Sequence, residues 1–139
     1  MDTIIARNIM RPVSVCISPN LTLDKVSDHL SKHHLPGTPV IDESGKGIGY
    51  ISEYDCLQQL MQSTYYCDNT SLAEDVMSKK LISTDPDISL IDLATRMNES
   101  KLNVIAIQEE GKLIGIISRG DIMRALVKDL AACAVPEAV

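Results

Sequence analysis

GKGIGYISEYD (residues 45–55) and GKLIGIISRGD (residues 111–121) are two copies of one pattern in this 139-residue chain, with Gly49 falling on Gly115, Ser52 on Ser118 and Asp55 on Asp121. Working outward toward the N-terminus, the offset of 66 becomes 67 after a one-residue gap near Ser44. Leu35 then meets Leu102, Leu23 meets Leu90, Pro19 meets Pro86 and Met10 meets Met77. Self-similarity at a fixed spacing means that one supersecondary unit has been used twice, and units of this size bury their apolar faces against each other. A face-to-face pair creates two equivalent clefts.

Each copy reads as strand, helix, strand, strand, helix. Pro12 stops any helix, and the alternation of Val13-Ser14-Val15-Cys16-Ile17 predicts a short strand, as does the stretch near Leu81 to Ser83. From Thr22, a predicted N-cap, Leu23, Val26 and Leu30 hold one helical face while Asp24, Lys25, Asp28 and Lys32 hold the other. The matching helix starts at Ser89, with Leu90, Leu93, Ala94 and Met97 inward. Val40-Ile41, a turn at Asp42 to Gly45, and Ile48 to Ile51 predict a hairpin; Val104 to Gln108 and Leu113 to Ile117 predict the second. Helices from about Tyr54 to Thr64 and from Asp121 to about Ala132 close the copies. The repeats are set at residues 8–62 and 72–132, with a polar linker at 63–71 and a flexible tail at 133–139 that contains Pro136.

A chain of this length buries on the order of two-thirds of its unfolded surface as a single domain. With no Phe or Trp, its core must be aliphatic, and it has few platforms for stacking bases. A net charge of −6 argues against nucleic acid as a partner, because that affinity rests on neutralising phosphates. Cys16, Cys56, Cys67 and Cys133 have no Cys-x-x-Cys spacing, and no secretory leader pattern opens the sequence, so a reduced, cytoplasmic protein is expected. No apolar run approaches the roughly 20 residues of a membrane span.

The Gly-x-x-Ser-x-x-Asp pattern sits where a strand hands over to a helix. Read structurally, Ser52 and Ser118 are N-caps, and Asp55 and Asp121, three residues on, reach back to the cap N–H in a capping box. Read functionally, the same helix terminus offers N–H and O–H donors to a phosphate. The carboxylate can accept two hydrogen bonds from the vicinal hydroxyls of a ribose. Gly49 and Gly115 would let a ligand approach the strand backbone.

Ile9-Met10, Ser18-Pro19, the helix from Thr22 and LPGTPVIDESGKGIGYISEYD resemble a cystathionine β-synthase (CBS) domain, and DVMSKKLISTDPDISL with KLNVIAIQEEGKLIGIISRGD resembles a second. The pair is similar to a Bateman module from about Ile5 to Leu130. The resemblance implies an α+β fold of two β-α-β-β-α repeats packed with pseudo-twofold symmetry through their small sheets, in a stand-alone, non-enzymatic regulatory protein. It implies an adenosine-containing ligand, either AMP, ADP, ATP or S-adenosylmethionine, and a disc-like homodimer acting on an unnamed effector protein. Carried over by position, Asp55 and Asp121 hold ribose hydroxyls, and Ser52 and Ser118 contact ribose or phosphate. Leu35-Pro36-Gly37 and Leu102-Asn103-Val104, with Cys16 or Ile17 and Ser83 or Thr84, line the adenine slots. Arg119 can pair with phosphate where its counterpart Glu53 repels it, which favours the Asp121 cleft for a charged nucleotide. The second copy departs from the pattern in lacking a proline equivalent to Pro39 and in having Gln108-Glu109 for Ile41-Asp42. A purely structural dimerisation module is the alternative.

His29 and His33 share a helical face, but nothing completes a tetrahedral zinc set, so a polar helix surface is the better reading. Cys56 and Cys133 fall on apolar helix faces, where packing explains them, and no nucleophile–base constellation is evident. Arg11 and Lys79-Lys80, just before each first strand, are solvated or else lean across the pseudo-axis toward a phosphate. The last helix of each copy has surplus apolar residues, among them Leu57, Leu60, Met61, Met123, Val127 and Leu130, which suggests an interface.

Overall fold

In the computed structural model, which describes residues 3–133, both opening stretches form the second strand of a hairpin and the first turn of the following helix. The order is α1 (Ala6–Ile9), β1 (Arg11–Pro12), a 3-10 turn (Val13–Val15), α2 (Leu23–Lys32), β2 (Gly37–Ile41), β3 (Gly47–Ser52) and α3 (Glu53–Tyr66). The second copy supplies α4 (Ala73–Val76), β4 (Ser83–Thr84), α5 (Leu90–Ser100), β5 (Val104–Glu109), β6 (Lys112–Ser118) and α6 (Arg119–Ala132). The mixed helix and strand composition in small sheets is the α+β class expected.

Local chemistry sets the hairpins. Asp42 Oδ1 accepts from the N–H groups of Ser44 and Lys46 and from the Ser44 hydroxyl, closing the β2–β3 turn, in which Gly45 takes φ +88°. Between β5 and β6, Glu110 and Gly111 both have positive φ, as a two-residue turn matched to strand twist requires. The amphipathic helices bury the faces their spacing predicts: Leu23, Val26 and Leu30 on α2, and Leu90, Leu93 and Met97 on α5. Each large aliphatic side chain so buried contributes about 1.5–3 kcal/mol.

The two copies are crossed, and this is the main departure from two self-contained units. β1 pairs antiparallel with β6 of the second copy, Arg11 opposite Ile116 and Pro12 opposite Gly115, in a four-stranded sheet of order β1-β6-β5-β4. Reciprocally, Ser78 bridges Tyr50 beside the two-stranded sheet β2-β3. The short helices cross as well: the Ala6 N–H donates to Ile88 O and the Ala73 N–H to Leu21 O, both at 2.9 Å. Gly49 and Gly115 lie at these crossings. A Cβ on Gly115 would stand 2.5 Å from Arg11 O, and one on Gly49 would stand 2.7 Å from Ser78 O. These glycines admit the other copy's entering strand, not a ligand as the sequence reading had it. One core cluster accordingly mixes Val26, Val40 and Ile51 with Ala106, Leu113 and Ile116.

The strand expected over Val13 to Ile17 is not formed. Pro12 offers no N–H, and the Cys16 N–H closes a turn onto Val13 O. Val15 O is satisfied by the Thr38 hydroxyl and the His29 ring instead of a strand partner. Only Ile17 bridges Val40, as Thr84 does Ile107 in the second copy. Helix α3 runs to Tyr66, into the segment read as linker. Residues 134–139 of the expected tail lie outside those described, and no described helix is long and apolar enough to cross a membrane.

Candidate functional site

Both Ser/Asp pairs form capping boxes. At the start of α6 the Ser118 N–H donates to Asp121 Oδ2 at 2.9 Å, and the Asp121 N–H donates to Ser118 Oγ at 3.1 Å. At the start of α3 the Ser52 N–H and hydroxyl both donate to Asp55 Oδ2 at 2.9 Å, and the Asp55 N–H returns to Ser52 Oγ at 3.2 Å. The box satisfies helix donors that would otherwise be orphaned and places a carboxylate beside the positive helix end.

Asp121 has further partners that motif reading did not supply. Arg11, carried across by β1, holds it in a fork: Nε donates to Oδ2 and Nη2 to Oδ1, each at 3.0 Å, while Nη1 donates to His33 O at 2.7 Å. Arg124, one turn along α6, donates to Oδ1 at 2.5 Å. Burial alone would raise the Asp121 pKa, but the Arg11 fork and the Ser118 donors outweigh it, holding the carboxyl below its ordinary 3.8. Arg11 therefore leans across the pseudo-axis, as one of the two sequence alternatives had it, but toward a carboxylate of the other copy.

The partners of Asp121 edge an open cavity of about 390 Å³ that draws Arg11, His33, His34 and Pro36 from the first copy and Asn103, Ser118, Arg119 and Arg124 from the second, while Asp121 itself, behind them, lines a neighbouring cavity of about 600 Å³ that it shares with Arg124. The Arg119 N–H donates to Asn103 O at 2.9 Å, which ties the loop before β5 to the start of α6. Two guanidiniums, those of Arg11 and Arg124, thus pair with one carboxylate, and Arg119 lines the same cavity as both. His33 has its pKa lowered by partial desolvation and by the neighbouring His29, Lys32 and Arg11, so it adds little charge at neutral pH. At the positions related to Arg11, Arg119 and Arg124 by the repeat stand Ser78, Glu53 and Gln58, and among the described residues no arginine or lysine pairs with Asp55.

A second cavity, of about 330 Å³, lies between Pro39 and Tyr50 on one side and Leu81, Ile82 and Leu102 to Val104 on the other, with Lys80 and Lys101 at its rim. Its walls are mostly apolar, as a planar base requires. Tyr50, which motif reading passed over, has its phenol pushed up to about 12 by burial and then by the charges of Asp55 and Glu53. Its place opposite the crossing at Ser78 could have been suspected only from the alignment of Arg11 with Ser78.

Not every expected lining residue reaches a cavity. Leu35 is a core side chain, and Cys16 is buried, its thiol pushed up to about 12 by burial; Gly37 is covered by the Tyr50 ring. These three keep only main-chain groups to offer a ligand. Ser83 is half-buried on β4, and the Thr84 hydroxyl accepts from Arg96 at 3.0 Å. The His29 ring is bonded to Val15 O, so it packs against the opening segment and is not a freely solvated polar group. Among the described residues no cluster of His, Cys, Asp and Glu could hold a metal. Cys56 is buried as expected, but Cys133 is exposed at the end of α6, because the helix finishes before it can pack.

The CBS-domain family model matches residues 6–62 and 73–128. The chloroplastic CBS domain-containing protein CBSX1 of Arabidopsis thaliana is 27% identical over 81% of this chain, which spans 58% of that relative. The crystal structure of CBSX2 in complex with AMP superposes with a TM-score of 0.74 at 25% identity, covering 91% of this chain and 98% of that one. The CBS domain pair of protein MJ0100 in complex with 5-methylthioadenosine and S-adenosyl-L-methionine has a TM-score of 0.74 at 21% identity, covering 92% and 99%, and shows likeness of fold.

Proposed function

The chain belongs to the CBS-domain family as a tandem pair of CBS repeats, and on that premise we propose that it is a regulatory module that binds an adenosine-containing ligand in its inter-repeat clefts. The observation that carries this reading is the cavity on which Ser118 of a helix-capping Ser/Asp pair and three arginines converge, two of them paired with Asp121 at its edge. Support comes also from CBSX2, a similar CBS pair whose crystal structure contains AMP. Ribose hydroxyls would engage Asp121, phosphate would meet Arg119 and its neighbours, and the base would lie toward Leu102 to Val104. AMP, ADP, ATP and S-adenosylmethionine are all ligands of the right class, and AMP is the one the CBSX2 likeness favours.

The module acts by binding. A ligand can shift the packing of the crossed repeats only by the difference in its affinity for two arrangements. An energy-sensing role would follow if AMP and ATP differ in that respect. The outward faces of α3 and α6 expose Leu57, Met61, Met123, Val127 and Leu130. Continuous apolar stripes of this kind suit a homodimer, through which occupancy would reach a separate effector protein.

One observation favours the alternative of a purely structural module: both Asp121 oxygens are already hydrogen-bonded within the protein. Isothermal titration with AMP, ADP, ATP and S-adenosylmethionine separates the readings. Asp121→Ala should weaken the bound nucleotide by about 1.5–3 kcal/mol, or roughly 10- to 150-fold, as loss of hydrogen bonds to a charged acceptor implies. Heatless titrations with all four compounds would leave the structural reading standing.

A further inference from the structure

The way Asp121 is occupied points to a selection rule. Oδ1 accepts from Arg11 Nη2 and Arg124 Nη2, and Oδ2 accepts from Arg11 Nε and the Ser118 N–H. A vicinal diol needs two of those four places, and the departure of Arg124 frees only one, so Arg11 must yield the other. Arg124 is 69% exposed and can swing into water at little cost. Arg11 is 24% exposed, forked onto the carboxylate and tied by its remaining nitrogen to His33 O. Forked pairs of this kind are the strong ones, and a half-buried guanidinium left without an anion loses most of what held it.

We propose that Arg11 makes the Asp121 cleft selective for phosphorylated over unphosphorylated adenosine compounds through an exchange of ion pairs. In this structure Arg11 holds Asp121. A ligand with a phosphate brings a second anion, so Arg11 turns from the carboxylate to the phosphate while the diol takes its place, and Arg11 keeps an ion pair. A nucleoside without phosphate breaks the fork and returns nothing. At the pseudo-equivalent cleft Ser78 stands where Arg11 would be, and among the described residues Asp55 is bonded only to Ser52. That carboxylate can meet a neutral nucleoside directly. The rule rests on the reading of Asp121 as a diol acceptor, and its test keeps the two apart.

The test uses the full chain carrying Asp55→Ala, so that the Asp121 cleft alone is read, titrated with adenosine and with AMP, with and without Arg11→Gln. With Arg11 present, AMP should bind about 30-fold or more tighter than adenosine, the scale expected for retaining against losing a charge-assisted pair. Arg11→Gln should tighten adenosine by roughly 5- to 20-fold and weaken AMP, bringing the two within a few-fold of each other. Arg11→Lys, which keeps the charge but loses the fork, should fall between, and it carries the test if circular dichroism finds the glutamine variant unfolded. Binding of both ligands with an AMP-to-adenosine ratio unchanged by either substitution overturns the exchange while leaving the diol reading intact. Binding of neither ligand to the Arg11 protein overturns both.

Discussion

Substituting alanine for Gly115 should loosen the crossing of the two repeats. The added Cβ would stand 2.5 Å from Arg11 O and 2.8 Å from Met10 Sδ, whereas ordinary contact begins near 3.4 Å. The thioether can rotate away, but the carbonyl belongs to β1, which is paired through Arg11 and Pro12 to the strand carrying the glycine. β1 must therefore retreat by about 0.9 Å or distort, and overpacking against backbone typically costs 1–3 kcal/mol. That outweighs the roughly 0.5–1 kcal/mol an alanine gains over glycine in a strand. Gly120→Ala is the control, since its Cβ, within a helix, would meet the tip of the flexible Arg124 side chain at 3.4 Å and Ser118 Oγ at an ordinary 3.8 Å. Urea unfolding should put Gly115→Ala about 1–2 kcal/mol below the wild type and Gly120→Ala level with it or above. The same shift drags Arg11 from Asp121, so the Gly115 variant should also bind nucleotide more weakly. A Gly115→Ala protein as stable as the wild type would refute the crossed packing.

Asp121→Asn should lower stability at neutral pH by about 1.5–3 kcal/mol through loss of the Arg11 and Arg124 pairs. Because the folded carboxyl titrates below its ordinary 3.8, that difference should be full above about pH 5 and vanish as pH falls through the folded value, which a pH series of thermal melts would reveal. Ellman titration of the native protein at pH 8 should find Cys67 and Cys133 reactive and Cys16 and Cys56 silent. Burial pushes the latter two thiols to about 12 and about 11, and all four should react in denaturant. Charges placed on the exposed faces of α3 and α6, as in Leu57→Glu with Val127→Glu, should convert a dimer to monomer in sedimentation velocity without loss of helicity. Equal sedimentation of the variant and the parent would count against the interface.

Much of this architecture is legible in the sequence because it is local. The capping boxes at Ser52 and Ser118 declare themselves by spacing alone. So do the buried stripes of α2 and α5 and the hairpin turn at Asp42 to Gly45. What the sequence hides is non-local. Arg11 reaches an aspartate 110 residues away because β1 crosses to the second copy; its position before the first strand allows a lean across the pseudo-axis, but nothing near it names Asp121 as the partner. The Val13 to Ile17 alternation misleads because side chains, and not a neighbouring strand, answer the Val15 carbonyl. The four-residue helices α1 and α4 escape periodicity altogether, although Asn8 and Asp75, each accepting from the N–H three residues earlier, mark their starts. The Ser/Asp pairs could be read equally as caps or as ligand groups. The structure forms them as caps.

The ligand role is tested most directly by a crystal structure of the protein grown in saturating AMP. If the inter-repeat clefts grip adenosine compounds, the map will hold a nucleotide with its ribose hydroxyls on Asp121, its phosphate among Arg11 and Arg119, and the Arg11 to Asp121 fork broken. A map with the fork intact and both clefts filled by solvent would contradict it.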